Sequence, residues 1–328
     1  MSRRLVPMWV AGAVALLMCT SVTAQSLRVG EPMEDYLRVL QLTGEASTSA
    51  LSLRPLMDGA PPRSEGRRHP WIDRLGVAFM RRDDSADAGV RMPWSTDLGW
   101  TEARMRIFAN TGHPYGGNDG VVWQGKGVTT AVDLGGWARW GALSIRLQPI
   151  YTMSQNAAFD LAPVSLSGMP EYAYPWRRID LPQRFGDGPV STLHPGDSEV
   201  RLDAHGFTLG LSSRNLWWGP GIHHSILLSD NAPGMVHGFL GTRRPVDAWI
   251  GDLEAQWIWG RLHQSDHLDP DFEETRRFAT GLVLTYRPAF VEGLHLGMAR
   301  MFFGFVPEVA RNSGTIFSCF RVCGRRSS

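Results

Sequence analysis

Apolar side chains recur at every second position over most of the chain. From about residue 99, Ala103, Met105, Ile107 and Ala109 alternate with Glu102, Arg104, Arg106 and Phe108. Val128, Thr130, Val132 and Leu134 run to Gly135-Gly136, a hairpin signal, and Leu143, Ile145 and Leu147 alternate with Ser144, Arg146 and Gln148 beyond it. Val200, Leu202 and Ala204 alternate with Glu199, Arg201, Asp203 and His205. At Gly206 the apolar parity passes to Phe207, Leu209 and Leu211, as at a turn or bulge. Leu253, Ala255, Trp257 and Trp259, then Phe278 to Tyr286, then Leu294 to Phe303, extend the pattern. A period of two predicts antiparallel strands with one apolar and one polar face. The polar face carries Arg104, Arg106, Arg146, Glu199, Arg201, Asp203 and Glu254.

Residues 25–98 read differently and predict a small helical segment. Pro32 suits a first helical turn, Glu34 and Asp35 favour its positive end, and Met33, Tyr36, Leu37 and Leu40 follow helical spacing up to Gly44. A second helix is predicted near Pro70, with Trp71, Leu75 and Phe79 on one face. Gly59 to His69 reads as a linker between them. These helices carry too little apolar surface to stand alone and are expected to dock onto something larger.

The amino terminus bears on the compartment. Arg3 and Arg4, the apolar run Val6 to Met18, and Val22-Thr23-Ala24 before Gln25 make residues 1–24 a secretory signal peptide. Met18 before Cys19 fits a lipoprotein cleavage site poorly. Its removal takes two arginines away, so the formal charge goes from +1 to −1 (1 − 2). With 33 basic against 32 acidic residues, the balance argues against a nucleic-acid binder that works through a large excess of positive charge. Cys319 and Cys323 alone remain afterwards, and on one strand they would stand about 13 Å apart, too far to bridge. The 36 glycines, 21 prolines and 13 tryptophans suit short strands and many turns.

No later stretch reaches the ~20 apolar residues of a membrane-spanning helix. Two classes remain: a soluble exported β-protein, or an outer-membrane β-barrel, whose alternating strands hide in hydropathy plots. Trp137, Trp140, Tyr151, Trp249, Trp257, Trp259 and Tyr286 near the ends of strand segments favour the barrel.

Catalytic signatures are missing from the sequence. There is no G-x-S-x-G and no H-E-x-x-H, and neither Gly125-Lys126-Gly127 nor Gly219-Pro220-Gly221 completes a dinucleotide fingerprint. His223 and His224 are adjacent and would point to opposite faces of a strand; Asp230 and His237 could join one of them at a metal. Ser225, His224 and Asp230 could be arranged as a triad, and Glu273-Glu274 as paired carboxylates, but a solvated or structural role is the expectation for each. Neither an enzyme, nor a cofactor, nor a metal is expected. The stretch Phe159 to Asp197 is long and punctuated by prolines. Its Tyr172, Tyr174, Trp176 and Arg177 suit stacking and hydrogen bonding to sugar rings, or else pack the loop against the strands.

Several blocks recur in a recognisable order. Asn110-Thr111-Gly112, Pro114-Tyr115-Gly116 and Asn118-Asp119-Gly120 lead into Trp123-Gln124-Gly125-Lys126-Gly127. Ile179 to Gly186 follows, then Asn215-Leu216-Trp217-Trp218-Gly219-Pro220-Gly221, Leu228 to Gly234 with Asn231, Gly241 to Pro245, and Gly260-Arg261-Leu262. Together with Tyr36-Leu37-Arg38 and Leu53-Arg54-Pro55-Leu56, these blocks resemble the capsule assembly Wzi family to roughly residue 305. The resemblance implies an antiparallel transmembrane β-barrel over residues 99–306 in the outer membrane of a Gram-negative bacterium, with a small periplasmic helical segment. Its implied role is to attach capsular or related exopolysaccharide to the surface as a monomeric, lectin-like anchor. The motif positions Trp123, Asn215, Trp217, Trp218, Gly219, Pro220, Gly221, Asn231 and Arg261 carry turn and lining chemistry within it. A diffusion porin and a periplasmic enzyme acting on polysaccharide are the alternatives. Barrels of that family have about eighteen strands, against eight or nine alternating segments here. Residues 307–328 abandon the alternation and read as a truncated or frame-shifted end, so this chain alone is expected not to insert as a closed barrel.

Overall fold

The structure, a computed structural model, describes residues 28–30, 34–36, 38–39, 52–55, 96–101, 103–164, 170–175, 180–243, 245–265, 276–291 and 293–305. The expected signal peptide over residues 1–24, the expected linker over 59–69, the helix expected near Pro70, Glu273-Glu274 and residues 307–328 lie outside these residues. In chain order the strands are β1 (Leu53–Arg54), β2 (Thr96–Trp100), β3 (Arg104–Asn110), β4 (Gly127–Asp133), β5 (Gly136–Trp140), β6 (Leu143–Leu147), β7 (Ile150–Ser154) and β8 (Val190–His194). There follow β9 (Glu199–Ala204), β10 (Phe207–Ser212), β11 (Trp217–Trp218), β12 (His237–Thr242), β13 (Val246–Ala248), β14 (Gly251–His263), β15 (Arg276–Pro288) and β16 (Leu296–Phe305).

Two sheet orders, β3-β4-β7-β8 and β2-β5-β6-β9-β10-β12-β14-β15-β16, are parts of one antiparallel meander. β2 continues into β3, β5 out of β4, β7 out of β6 and β9 out of β8, and each half pairs with the matching half of the next. The described residues thus form nine staves, each beside its neighbour in sequence. Trp100 faces Gly136 while Arg104 faces Asp133, so the first stave carries one residue more than the second between these pairs. Arg146 faces Glu199 while Ile150 faces His194, which puts one extra residue in the fourth stave near Gly196. Both are bulges, an extra residue in one strand of an antiparallel pair. Among the described residues, the outer edges of the first and ninth staves are unpaired and the sheet does not close.

Connections differ sharply between the two ends. One end carries the long connections 111–126, 155–189, 213–236 and 264–275. At the other lie Gly141-Ala142, His205-Gly206, Trp249-Ile250 between β13 and β14, and the connection 289–295. His205 (φ 49°) and Gly206 (φ 84°) are both left-handed, the backbone of a tight two-residue hairpin turn, which explains the parity change there. The Gly135-Gly136 signal does not mark a hairpin. β4 runs on through it into β5 and reverses at Gly141-Ala142. Gly135 is needed because the Leu147 carbonyl crosses where a Cβ would stand, 1.9 Å away. Val190–His194, inside the supposed loop 159–197, is strand β8 paired with β7.

The alternation sorts side chains onto two faces of opposite character. On one, Leu98, Ala138, Ile145, Val200 and Leu211 line up across five staves, and Leu143, Leu202, Leu209, Leu240, Trp257 and Leu282 across six. This apolar face is the open one: Leu98 is 76% exposed and Ile107 64%. The second row ends on Arg300, whose guanidinium lies over the Phe302 ring at 4.5 Å. On the other face Arg146, Glu199, Ser212 and His237 align, and they are covered. Trp140, Phe207, Trp249, Tyr286 and Phe290 gather at the end of short turns. Trp137 departs from the expected aromatic set, since its partner Arg146 places it on the covered face. Tyr151, Trp257 and Trp259 sit within staves and not at their ends.

Residues 28–30, 34–36 and 38–39, the β1–β11 ladder and connection 213–236 cover the polar face. Over the later staves the cover is apolar: Leu216, Trp218, Phe239, Ile258 and Val283 form the core cluster, joined by Leu53, Leu227, Leu228, Met235 and Ala299. Gly281 makes the room for it, because a Cβ there would meet the Trp218 ring at 2.8 Å. Residues 34–36 and 38–39 are helical, as expected, but polarity is reversed on this piece. Glu34 and Arg38 are buried and Val39 is exposed, because the surface they meet is charged. Met33, Leu37 and Leu40 lie outside the described residues.

Gly135→Val should cost about 2 kcal/mol or more, since a carbonyl fixed in a ladder cannot retreat as a flexible side chain would. Unfolding by urea or heat will read this, and a parent-like midpoint would show that stave continuity does not depend on Gly135.

Candidate functional site

Spacing of two places Glu199, Arg201 and Asp203 side by side on the covered face. Arg201 reaches Glu199 at 3.4 Å and Asp203 at 3.2 Å, Arg243 meets Asp203 at 3.4 Å, and Arg214 meets Glu199 at 3.9 Å. Arg146 donates to Gln148 Oε1 at 2.7 and 3.0 Å. Arg28, from the amino-terminal segment, pairs with both Asp133 of β4 and Asp197 between β8 and β9. Buried charges persist only when paired, so this network fixes what lies against it.

A second knot holds the same segment further on. Glu34 accepts from the Gly30 amide at 2.8 Å and pairs with Arg54 at 3.1 Å. Arg54 also lies over the Trp217 ring at 4.7 Å. Burial raises the Glu34 carboxyl above its usual range even though Arg54 and Arg38 pull it down. Arg38 donates to the Pro220 carbonyl, the Gly219 amide donates to the Ser52 carbonyl at 2.9 Å, and Trp217 Nε1 donates to the Gly221 carbonyl at 2.9 Å. Trp218 Nε1 donates to Gln256 at 3.3 Å.

The motif positions therefore meet at the connection 213–236. Asn215 donates to the Ala232 carbonyl at 2.7 Å, and Asn231 accepts from the Asn118 amide at 2.8 Å. Trp123 sits edge-on to Phe185 at 4.9 Å, beneath the neighbouring connection. Arg261 stands apart, exposed on β14 opposite Phe278.

The proposed sugar-stacking loop is only partly described. Tyr172 and Tyr174 are half-buried, while Trp176 and Arg177 lie outside the described residues. Tyr172 hydrogen-bonds the Asp187 carboxylate, which raises its phenol pKa, and its carbonyl accepts from the Gln183 amide at 2.8 Å. Asn156 gathers this connection, donating to the carbonyls of Phe185, Gly186 and Gly188 at 2.9–3.1 Å. The loop is folded upon itself and presents no cluster of open aromatic faces among its described residues.

A feature that spacing did not reveal is the crossing of connections 111–126 and 213–236. Asn118 donates from its amide to Asn231 and from Nδ2 to the His223 carbonyl at 3.2 Å, and the Gly120 amide donates to the Asp230 carbonyl at 2.7 Å. Only the shared repetition of Asn, Asp and Gly in both blocks hinted at it. His223 and His224 are exposed there, and His237 is buried elsewhere, donating Nδ1–H to the Met235 carbonyl at 2.8 Å. Among the described residues no three His, Cys, Asp or Glu could hold a metal ion, and no hydrogen bond joins Ser225, His224 and Asp230. No helix among them is long and apolar enough to cross a membrane, which says nothing about strands.

No protein-family model matches this chain, and no curated protein or solved structure does.

The Asp230 carboxyl is pushed up to about 8, by burial first and then by Asp197 and Asp119, against the opposing pull of Arg106 and Arg28. Folding therefore takes up a proton between the ordinary carboxylate pKa and about 8. Stability is greatest below that window and falls as pH rises through it. Thermal midpoints measured from pH 4 to 9 should decline in the parent and decline less in Asp230→Asn; equal slopes would refute this assignment.

Proposed function

We propose that this chain supplies nine staves of an outer-membrane β-barrel that holds capsular or related exopolysaccharide on the surface of a Gram-negative cell, as a lectin-like anchor and not an enzyme. The observation that carries the membrane part is the inverted polarity of the staves. Large apolar side chains fill the open face while arginines, carboxylates and amides fill the covered one. A water-soluble sheet buries the opposite set, because contiguous exposed apolar surface beyond a few hundred Å² is unfavourable in water. Against hydrocarbon the same arrangement costs nothing. Long connections at one end and short ones at the other fit a barrel with its loops outside and its turns in the periplasm. The aromatics Trp140, Phe207, Trp249, Tyr286 and Phe290 at the short-turn end then lie at a lipid–water boundary. In lipid both open edges of the nine staves require partner strands.

The polysaccharide part rests on the motif blocks that resemble the capsule assembly Wzi family. Over the porin alternative it is favoured by the filling of the covered face with Leu216, Trp217, Trp218 and the Arg28 segment, where a diffusion pore needs water.

Leu211→Arg, four residues in from the Phe207 boundary on the same face, tests the lipid face directly. An arginine at mid-membrane depth costs about 2–4 kcal/mol, so outer-membrane accumulation should fall at least tenfold, whereas on a soluble sheet the change stays within about 0.5 kcal/mol. Equal amounts of parent and variant in the soluble periplasm would end the membrane reading. Deleting the gene should leave polymer synthesis intact and release the polymer into the medium. Unchanged cell-bound polymer in the deletion strain would end the anchoring reading, and steady ion current across planar bilayers would favour the porin.

A further inference from the structure

We propose that the crossing of connections 111–126 and 213–236 is a polysaccharide-contacting platform, with the Tyr115 ring as its stacking face for a pyranose. This rests on the anchoring function proposed above and assigns the contact to residues outside the 159–197 loop. Tyr115 is 81% exposed, the most open tyrosine described. A single exposed aromatic is ordinary on a protein surface, but this one is fixed at both of its backbone groups. Its amide donates to the Gln124 carbonyl at 3.2 Å, and its carbonyl accepts from Asn110 Nδ2 at 3.0 Å. Asn110 Nδ2 also donates to the Gln124 carbonyl at 2.9 Å, closing the base of the loop.

The far side of the loop is pinned as firmly. Asn118 (φ 57°) and Gly120 (φ 63°) are left-handed, and so is Leu228 (φ 57°) in the segment they meet. A left-handed leucine is strained, and packing beside the Trp218 cluster holds it there. That strain delivers Asp230 and Asn231 to Gly120 and Asn118. Backbone strain and double clamping around an open ring give a rigid contact surface at the long-loop end, where ordering costs have been met before any ligand arrives.

The chemistry of the surface selects a sugar. The flat C–H face of a pyranose packs on an aromatic ring, and its hydroxyls donate and accept hydrogen bonds. Exposed His223 and His224 provide both donors and acceptors, and Asn231 retains an amide hydrogen beyond its bond to Ser229. Tyr172, by contrast, is half-buried with its hydroxyl on Asp187.

The test uses the full chain in its own strain, with that strain's purified exopolysaccharide as the probe for detergent-solubilised protein. Tyr115→Ala and Tyr115→Leu should each weaken polymer binding at least tenfold and raise the released fraction of polymer, at unchanged outer-membrane amounts. Tyr115→Phe, which keeps the ring, should restore binding, and Asn110→Ala should weaken it by freeing the loop. If Tyr115→Ala binds polymer like the parent while the deletion strain sheds it, the platform is overturned and the anchor survives. If the parent itself does not bind the polymer and the deletion strain retains it, both are overturned.

Discussion

Inward-facing charge must be paired, and that constraint organises this chain. Arg28 stands between Asp133 and Asp197, on two different staves, and so fastens a segment far away in sequence onto the sheet. Glu34, Arg54 and Trp217 repeat the arrangement further along. Asp133, Asp197, Glu199 and Asp203 each have an arginine within reach, because a lone buried ion would cost several kcal/mol. The amino-terminal residues are thus part of the interior and not an appendage.

The covered face changes character along a single row. Ser144 and Arg201 give way to Gly210, Phe239, Ile258 and Gly281 as one moves from the third stave to the eighth. The early staves hold the ion-pair network, and the later ones accept Trp218. Glycine serves both halves by leaving space: Gly135 for a carbonyl and Gly281 for an indole. The blocks 215–221 and 228–234 supply the connection that covers this surface, which accounts for their richness in turn residues and large rings.

Function follows from which surfaces remain. On the proposed membrane reading, the open apolar face has lipid as its neighbour and the packed covered face leaves little room for flux. The proposed recognition then falls to the long-loop end, where the exposed polar and aromatic groups of the crossing loops stand on hydrogen-bonded backbone.

Alternation in the sequence determined the strands, their two faces and the charged residues that share one of them, since a period of two leaves a strand no choice of side. Its signals were ambiguous wherever one residue type serves two backbone tasks. Gly135-Gly136 and Gly206 look alike in sequence, yet one passes a neighbouring carbonyl and the other turns the chain. Helical spacing at Met33, Tyr36, Leu37 and Leu40 gave the helix but not the burial of Glu34 and Arg38, which depends on a charged surface supplied by distant staves. The ion pairs of Arg28 and the meeting of Asn118 with Asn231 span more than a hundred residues. Only the tertiary structure could decide them, because local patterning fixes which way a side chain points and never what will stand opposite it.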